Sequence, residues 1–262
     1  MRLNFIAGLA FLLISCAESP DISPEPAAPP LFSAADSLAF LITEFAGGPA
    51  AWEAMPILRF DWVAERDSEE VFRARHLWDR ESDAYRVEYS IGEDSLIVAV
   101  FSVDDFNMDT PTGKAYLNGV PVDSTEMAER LADAYERFIN DSYWLLAPLK
   151  LFDPGVHRNM AHDSSDAESE VLRVTFENVG LTPGDRYWLR ADSTGKLLSW
   201  SFLLEDGGEN HYVWTDYEYV PTPAGSLHVA TRKQTDGRAI LTQVLPSNSL
   251  DGDIFLDPRP RL

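Results

Sequence analysis

From Pro56 to Leu245 apolar side chains recur with a spacing of two, and this period commits most of the chain to β-sheet more tightly than any single motif does. In "YRVEY", Tyr85, Val87 and Tyr89 point one way while Arg86 and Glu88 point the other. "VFRARHLW" and "DSLIVAVFS" flank it, and "YLNGVPV" carries Asn118-Gly119, a dipeptide suited to a two-residue hairpin because both residues tolerate positive φ. A second series runs from Val171 to Leu245 as "VLRVTFE", "RYWLRAD", "KLLSWSFLL", "HYVWTDYEYV", "SLHVATRK" and "AILTQVL". Its turns fall at Pro183-Gly184, Ser193 to Gly195, Gly207-Gly208, Pro223 to Gly225 and Asp236-Gly237. The two series read as about eleven antiparallel strands, too many for one flat open sheet, so a barrel or a strongly bent sheet is expected.

Two segments break the period. "SAADSLAFLITEFAGG" offers Ser33 as N-cap, Leu38, Leu41, Ile42 and Phe45 at helical spacing, and Gly47-Gly48 as a stop. "DSTEMAERLADAYERFINDSYWLLAPLKLFDPGV" lies between the strand series. Asp123 to Glu126 has capping-box spacing, and Met127, Leu131, Tyr135, Phe138 and Ile139 form an apolar stripe that continues through Tyr143 to Leu146 until Pro148. The expected fold class is therefore mainly β with α, a long amphipathic helix being inserted between two sheet halves.

The amino terminus, "MRLNFIAGLAFLLISCAESPD", has Arg2 followed by an apolar run from Phe5 to Ile14. That run is shorter than the roughly 20 residues a membrane span needs, and reads as a secretory h-region. Residues 1–15 are accordingly expected to be a signal peptide, and Leu13-Ile14-Ser15-Cys16 resembles the lipobox of bacterial lipoproteins. Cys16, the sole cysteine, would then be a lipid anchor and not a disulfide partner. The alternative is an ordinary signal peptide cut near Ala17. Residues 16–32 carry five prolines and little apolar periodicity, which suits a tether able to hold a domain about 50 Å from the membrane at about 3.1 Å per residue. Residues 33–262 remain as a single domain. By analogy with known sorting rules, Ala17 after the cysteine favours the outer membrane, the domain facing the periplasm.

Composition narrows the function classes. The formal net charge is −22, with Lys only at 114, 150, 196 and 233, so neither nucleic acid nor anionic headgroups are expected as electrostatic partners. No H-E-x-x-H, G-x-S-x-G or G-K-[ST] occurs, and an acylated Cys16 is no nucleophile, so no enzyme activity is expected. His157 and His162 are five apart beside Asp153 and Asp163, a spacing that no regular helix places on one face, and the segment reads as a polar surface loop. Asp105, Asn107 and Asp109 have calcium-loop spacing, but Thr110 and Tyr116 stand where such a loop needs Gly and Glu, so a turn is expected. No cofactor or metal is expected, and His76, His211 and His228 read as satisfied sheet residues.

A lipidated cysteine, a leading helix, strands, a helical insert and further strands in this order resemble the LolA/LolB-like superfamily of lipoprotein carriers. "NDSYWLLAPLKLFDPGV" is also similar to a segment of uncharacterised bacterial envelope lipoproteins associated with that fold. The resemblance implies an incomplete antiparallel β-barrel with helices covering its concave face, and a role in binding the acyl chains of lipids or lipoproteins, with transport as the wider function. The family's functional arginine and protruding loop match no position here, so no residue role is carried over.

In such a fold Met127, Leu131, Tyr135, Phe138, Trp144 and Leu145 would form the helical side of an acyl groove, where each buried methylene contributes about 0.8 kcal/mol. Truncating a groove-lining side chain would cost about 1 kcal/mol. The alternative is a closed barrel in which the same residues fill a core, serving as a structural or interaction lipoprotein that meets other envelope proteins. The lipobox yields the first prediction. The mature protein should partition into detergent, and Cys16→Ser should leave the chain aqueous or uncleaved; recovery mainly in inner-membrane fractions would overturn the outer-membrane expectation.

Overall fold

The computed structural model describes residues 33–245, 247 and 249–262, so the signal peptide, Cys16 and the tether lie outside the described residues. Helix α1 (Ala34–Phe45) begins where expected, with the Ser33 hydroxyl accepting from the Asp36 amide. Gly47-Gly48 ends it and immediately starts a short second helix, α2 (Gly48–Glu53), which the sequence reading did not separate. Gly47 has φ +114° and lies against the backbone of Ser226, where a Cβ would sit 2.4 Å from the carbonyl oxygen.

Thirteen strands follow. The first six are β1 (Ile57–Arg66), β2 (Glu69–Asp79), β3 (Ala84–Gly92), β4 (Ser95–Ser102), β5 (Lys114–Leu117) and β6 (Val120–Pro121). Helix α3 (Ser124–Leu146) then leads through a 3-10 turn, Ala147–Leu149, to β7 (Val156–Met160). The remainder are β8 (Ser169–Phe176), β9 (Arg186–Asp192), β10 (Leu197–Leu203), β11 (Glu209–Thr222), β12 (Gly225–Thr235) and β13 (Arg238–Val244). The two strands missing from the expected eleven are β1 and β7. "VHRNM", taken for part of a polar loop, pairs with β8 over Val156–Met160, His157 opposite Thr175. The Asn118-Gly119 hairpin forms as expected, with φ of 51° and 81° and Leu117 facing Val120.

All thirteen strands belong to one antiparallel sheet of order β6-β5-β4-β3-β2-β1-β13-β12-β11-β10-β9-β8-β7. The sheet is open: β6 and β7 are its two edges, which corrects the closed-barrel alternative. The seam between the halves is β1 against β13, from Phe60 opposite Val244 to Arg66 opposite Arg238. Helix α3 carries the chain from one edge to the other. Its N-cap is Asp123, whose carboxylate accepts from the amides of Thr125 and Glu126.

The alternation places one set of strand side chains against the helices. Leu172, Leu189, Trp200, Trp214 and Ile240 pack with Leu38, Ala39 and Ile42 of α1. Leu58 and Phe60 pack with Ala51 of α2 and with Leu145 and Leu146 at the end of α3. Tyr85, Val87, Tyr89, Ile97 and Phe101 pack with Ala134 and Phe138 of α3. All three clusters are made among residues 35–240, so residues 33–262 carry their own core.

The opposite parity of β3 has a separate use. Arg86 and Glu88 are fully buried and joined at 2.7 Å, beneath the carboxy-terminal segment. The Arg86 guanidinium donates to the carbonyls of Ile254, Asp257 and Arg259, while Glu88 accepts from the amides of Arg261 and Leu262. A buried ion pair is tolerable only when its remaining donors and acceptors are satisfied, and here the tail backbone satisfies them. Asp257 in turn holds Arg259 and Arg261, whose hydrogen bonds push its carboxyl far below the usual range.

Lys233 is also fully buried. Its amine donates to the Ala230 carbonyl and the Thr242 hydroxyl, both at 2.5 Å, and lies 4.9 Å from the Trp214 ring centroid. With no carboxylate beside it, burial pushes its pKa well below 10.5. Because the unfolded chain binds the proton more tightly, stability rises as pH climbs toward 10.5. Lys233→Met should therefore raise the urea midpoint at pH 7 and shrink the gain in stability that the wild type shows between pH 7 and 10. The same pH slope in both proteins would refute this.

Candidate functional site

A groove of about 740 Å³ opens on the flank of α3. Glu136, Ile139, Asn140 and Tyr143 face it from the helix, at the i, i+3, i+4, i+7 spacing of one helical face. Phe176 and Tyr187 come from β8 and β9; Val179, Gly180, Leu181, Thr182 and Asp185 come from the β8–β9 loop; Leu204, Glu205 and Asp206 come from the β10–β11 turn. This face is turned by roughly 150° around the helix from Leu131, Phe138 and Leu145. One helix thus presents one apolar stripe to the sheet and a second, shorter one to the opening.

The floor is aromatic. Tyr143 meets Tyr187 edge-on at 5.4 Å and Phe176 at 5.9 Å, and lies nearly parallel to Trp200 at 5.9 Å. Burial pushes the phenols of Tyr143 and Tyr187 up, helped at Tyr187 by the Asp185 carboxylate. Both stay protonated at neutral pH, so the floor offers hydroxyls and ring faces but no phenolate. Above it, Val179 and Leu181 stand in a loop with no regular structure, Leu181 being 39% exposed. Asp185 ties that loop to the neighbouring turn, accepting from the Thr182 hydroxyl at 2.6 Å and the Glu205 amide at 2.9 Å. Four carboxylates, Glu136, Asp185, Glu205 and Asp206, edge the groove, and no Lys, Arg or His lines it.

A polar chain runs inward from the groove wall, exposed at Asn140 and buried at Asp141 and His76. Asn140 donates to Asp141 at 2.8 Å, and Asp141 approaches His76 Nε2 at 3.2 Å. His76 Nδ1 is 2.8 Å from the Tyr85 hydroxyl, and the ring stacks on Phe60 at 4.4 Å. His76 thus links α3 to the sheet as a partnered residue. His211 contacts the Ser201 hydroxyl at 2.9 Å, and His228 meets Tyr219 edge-on at 4.2 Å.

None of the six groove residues expected from the sequence stands on this wall. Leu131 is fully buried, Phe138 packs against Trp78 and Tyr85, and Leu145 sits among Leu58, Phe60 and Leu227. Tyr135 stacks on Phe106 at 4.2 Å, Met127 Sδ accepts from the Ala115 amide at 3.1 Å, and Trp144 meets Trp200 at 4.7 Å. They fasten the helix to the sheet, while Ile139 and Tyr143, in the same stripe of sequence, face the opening. Cys16 lies outside the described residues. Among the described residues no three His, Cys, Asp or Glu side chains gather as a metal site; His157 pairs with Glu177 at 2.8 Å, and Asn107 caps a turn through the Asp109 amide. No helix among them is long and apolar enough to cross a membrane.

No protein-family model matches the chain, and no curated protein matches it. Among solved structures it is similar to a DUF1329 family protein from Desulfovibrio piger ATCC 29098, at 8% identity and a TM-score of 0.42 over 84% of this chain and 96% of that one. It is also similar to MucB, at 16% identity and a TM-score of 0.29 over 84% of this chain and 62% of that one. MucB in complex with MucA(peri) is similar at 14% identity and a TM-score of 0.24, over 78% of this chain and 92% of that one. At these identities no residue role passes from those proteins to this chain.

The two faces of α3 separate by energetics. Leu131→Ala and Phe138→Ala should each cost 2–5 kcal/mol, roughly, as core cavities do, in place of the 1 kcal/mol of a groove lining. Leu181→Ala should change stability by less than about 0.5 kcal/mol. Urea unfolding of residues 33–262 measures all three, and a cost for Leu181→Ala equal to that for Leu131→Ala would show the loop to be core.

Proposed function

We propose that this chain is a lipoprotein anchored to the outer membrane through acylated Cys16, whose domain binds the acyl chains of lipids or lipoproteins in the groove between α3 and the β8–β9 loop. Lipid or lipoprotein transport in the envelope is the wider role this reading offers. The observation that carries it is the groove itself: an aromatic and aliphatic floor, open to solvent, of a volume ordinary for small-molecule sites. An opening lined by Ile139, Tyr143, Phe176, Val179, Leu181 and Leu204 leaves apolar surface wet that a chain of methylenes would cover, at about 25 cal/mol per Å². The six helix residues Met127, Leu131, Tyr135, Phe138, Trp144 and Leu145 act at one remove, by holding the wall in place. A sheet bent around α3, with its helices on the concave side, completes the half-barrel of this reading.

The test uses residues 33–262. Native mass spectrometry should find lipid-sized mass co-purifying with the domain, and a fluorescent acyl probe with an uncharged head group should bind with a Kd below about 10 µM. Ile139→Asp combined with Leu181→Asp should leave the domain folded and weaken the probe at least tenfold, since a charge in the lining opposes apolar occupancy. A wild-type domain that carries no lipid and binds no acyl probe would sink the proposal.

A further inference from the structure

The groove edge carries more information than its floor. Glu136 projects from α3, Asp185 from the β8–β9 loop, and Glu205 and Asp206 from the β10–β11 turn, so the carboxylates come from three separate elements around one apolar opening. Glu136, Glu205 and Asp206 are exposed, and no side chain of opposite charge lines the groove with them. Asp185 is buried, its oxygens engaged by Thr182 and the Glu205 amide, and it holds the two acidic lips together. Of the neutral side chains here, Asn140 donates to Asp141, and the Tyr187 hydroxyl faces Asp185.

A chain seated on Ile139, Tyr143 and Leu181 must leave its polar end among these carboxylates. A carboxylate, sulfate or phosphate there would face several like charges with no cation to offset them; an ammonium would face several opposite ones. We infer that the groove selects amphiphiles by charge, taking an apolar chain that ends in a positively charged group and rejecting the anionic counterpart. This inference rests on the apolar-chain reading above and names the class of ligand within it. The preference is local, because the lips, and not the net charge of −22, set the potential where the head group lies.

Three amphiphiles with one chain and different ends isolate the point: dodecyltrimethylammonium, dodecyl maltoside and dodecanoate. Each is titrated below its micelle concentration into residues 33–262 by calorimetry at 150 mM salt. The ammonium should bind at least tenfold more tightly than dodecanoate, with the maltoside between them. In Glu136→Gln/Glu205→Gln/Asp206→Asn the preference should fall to within about threefold while maltoside affinity holds. A variant neutralised away from the groove, Glu69→Gln/Glu93→Gln/Asp94→Asn, changes net charge equally and should keep the wild-type preference. Dodecanoate binding as tightly as the ammonium, or equal loss of preference in both variants, overturns the inference and leaves the groove standing. Failure of all three amphiphiles to bind overturns the apolar-chain reading itself.

Discussion

The structure depends on one crossing. The first six strands add outward from β1, and the chain must then reach the far edge of the sheet before β7 to β13 can add inward and return to β1. Helix α3 makes that passage. Twelve inter-strand spacings of about 4.8 Å would put the edges of a flat sheet roughly 58 Å apart, whereas 23 helical residues span only about 34 Å. A helix that meets β4, β5 and β12 lies across the sheet, and residues 147–155 carry the chain on to β7. The β1–β13 ladder is the consequence: a seam between strands distant in sequence, which forms only if the crossing delivers β7 to the correct edge.

Placing a helix across the sheet also explains where polar groups are buried. On the helix side, His76 and Asp141 join β2 to α3 at a point otherwise surrounded by Phe60, Tyr85 and Phe138. Apolar packing sets how tightly the two layers press together, but a directional contact sets which turn of the helix lies over which strand. On the other side, Arg86 and Glu88 perform the equivalent task for the carboxy-terminal segment, through its backbone and so without regard to its side chains. Lys233 has no such partner, and its burial is a cost that the surrounding packing offsets.

The groove arises from the same geometry. A cylindrical helix lying on a sheet covers it along a line and leaves a flank on either side. On the flank toward β8 and β9, the β8–β9 loop and the β10–β11 turn rise to meet α3 without closing on it. Asp185 braces these two segments against each other, so the opening has a fixed far wall. The apolar residues exposed there, Leu181 among them, stand where a further layer of side chains would complete the core.

Much of this was legible in the residues alone, and the limit has a physical form. The period of two, the turn dipeptides and the caps at Ser33 and Asp123 act over a few residues, and the strands, hairpins and helix ends they specify are present where local chemistry puts them. β7 escaped because an edge strand with His157 and Asn159 outward has one paired neighbour and little apolar signal. The apolar stripe of α3 announced a buried face, yet not that Ile139 and Tyr143 would line an opening at its flank while Phe138 packed into the core, since that depends on the angle at which the helix crosses. Likewise Val179 and Leu181 were apolar residues in a loop until Leu204 and Tyr143 came to stand opposite them. The sequence by itself determined the elements, their order and the charge of the surface. Tertiary structure alone decided the β1–β13 seam, the burial of Arg86 under the tail and the groove, because each joins residues far apart along the chain, and no local preference acts over that distance.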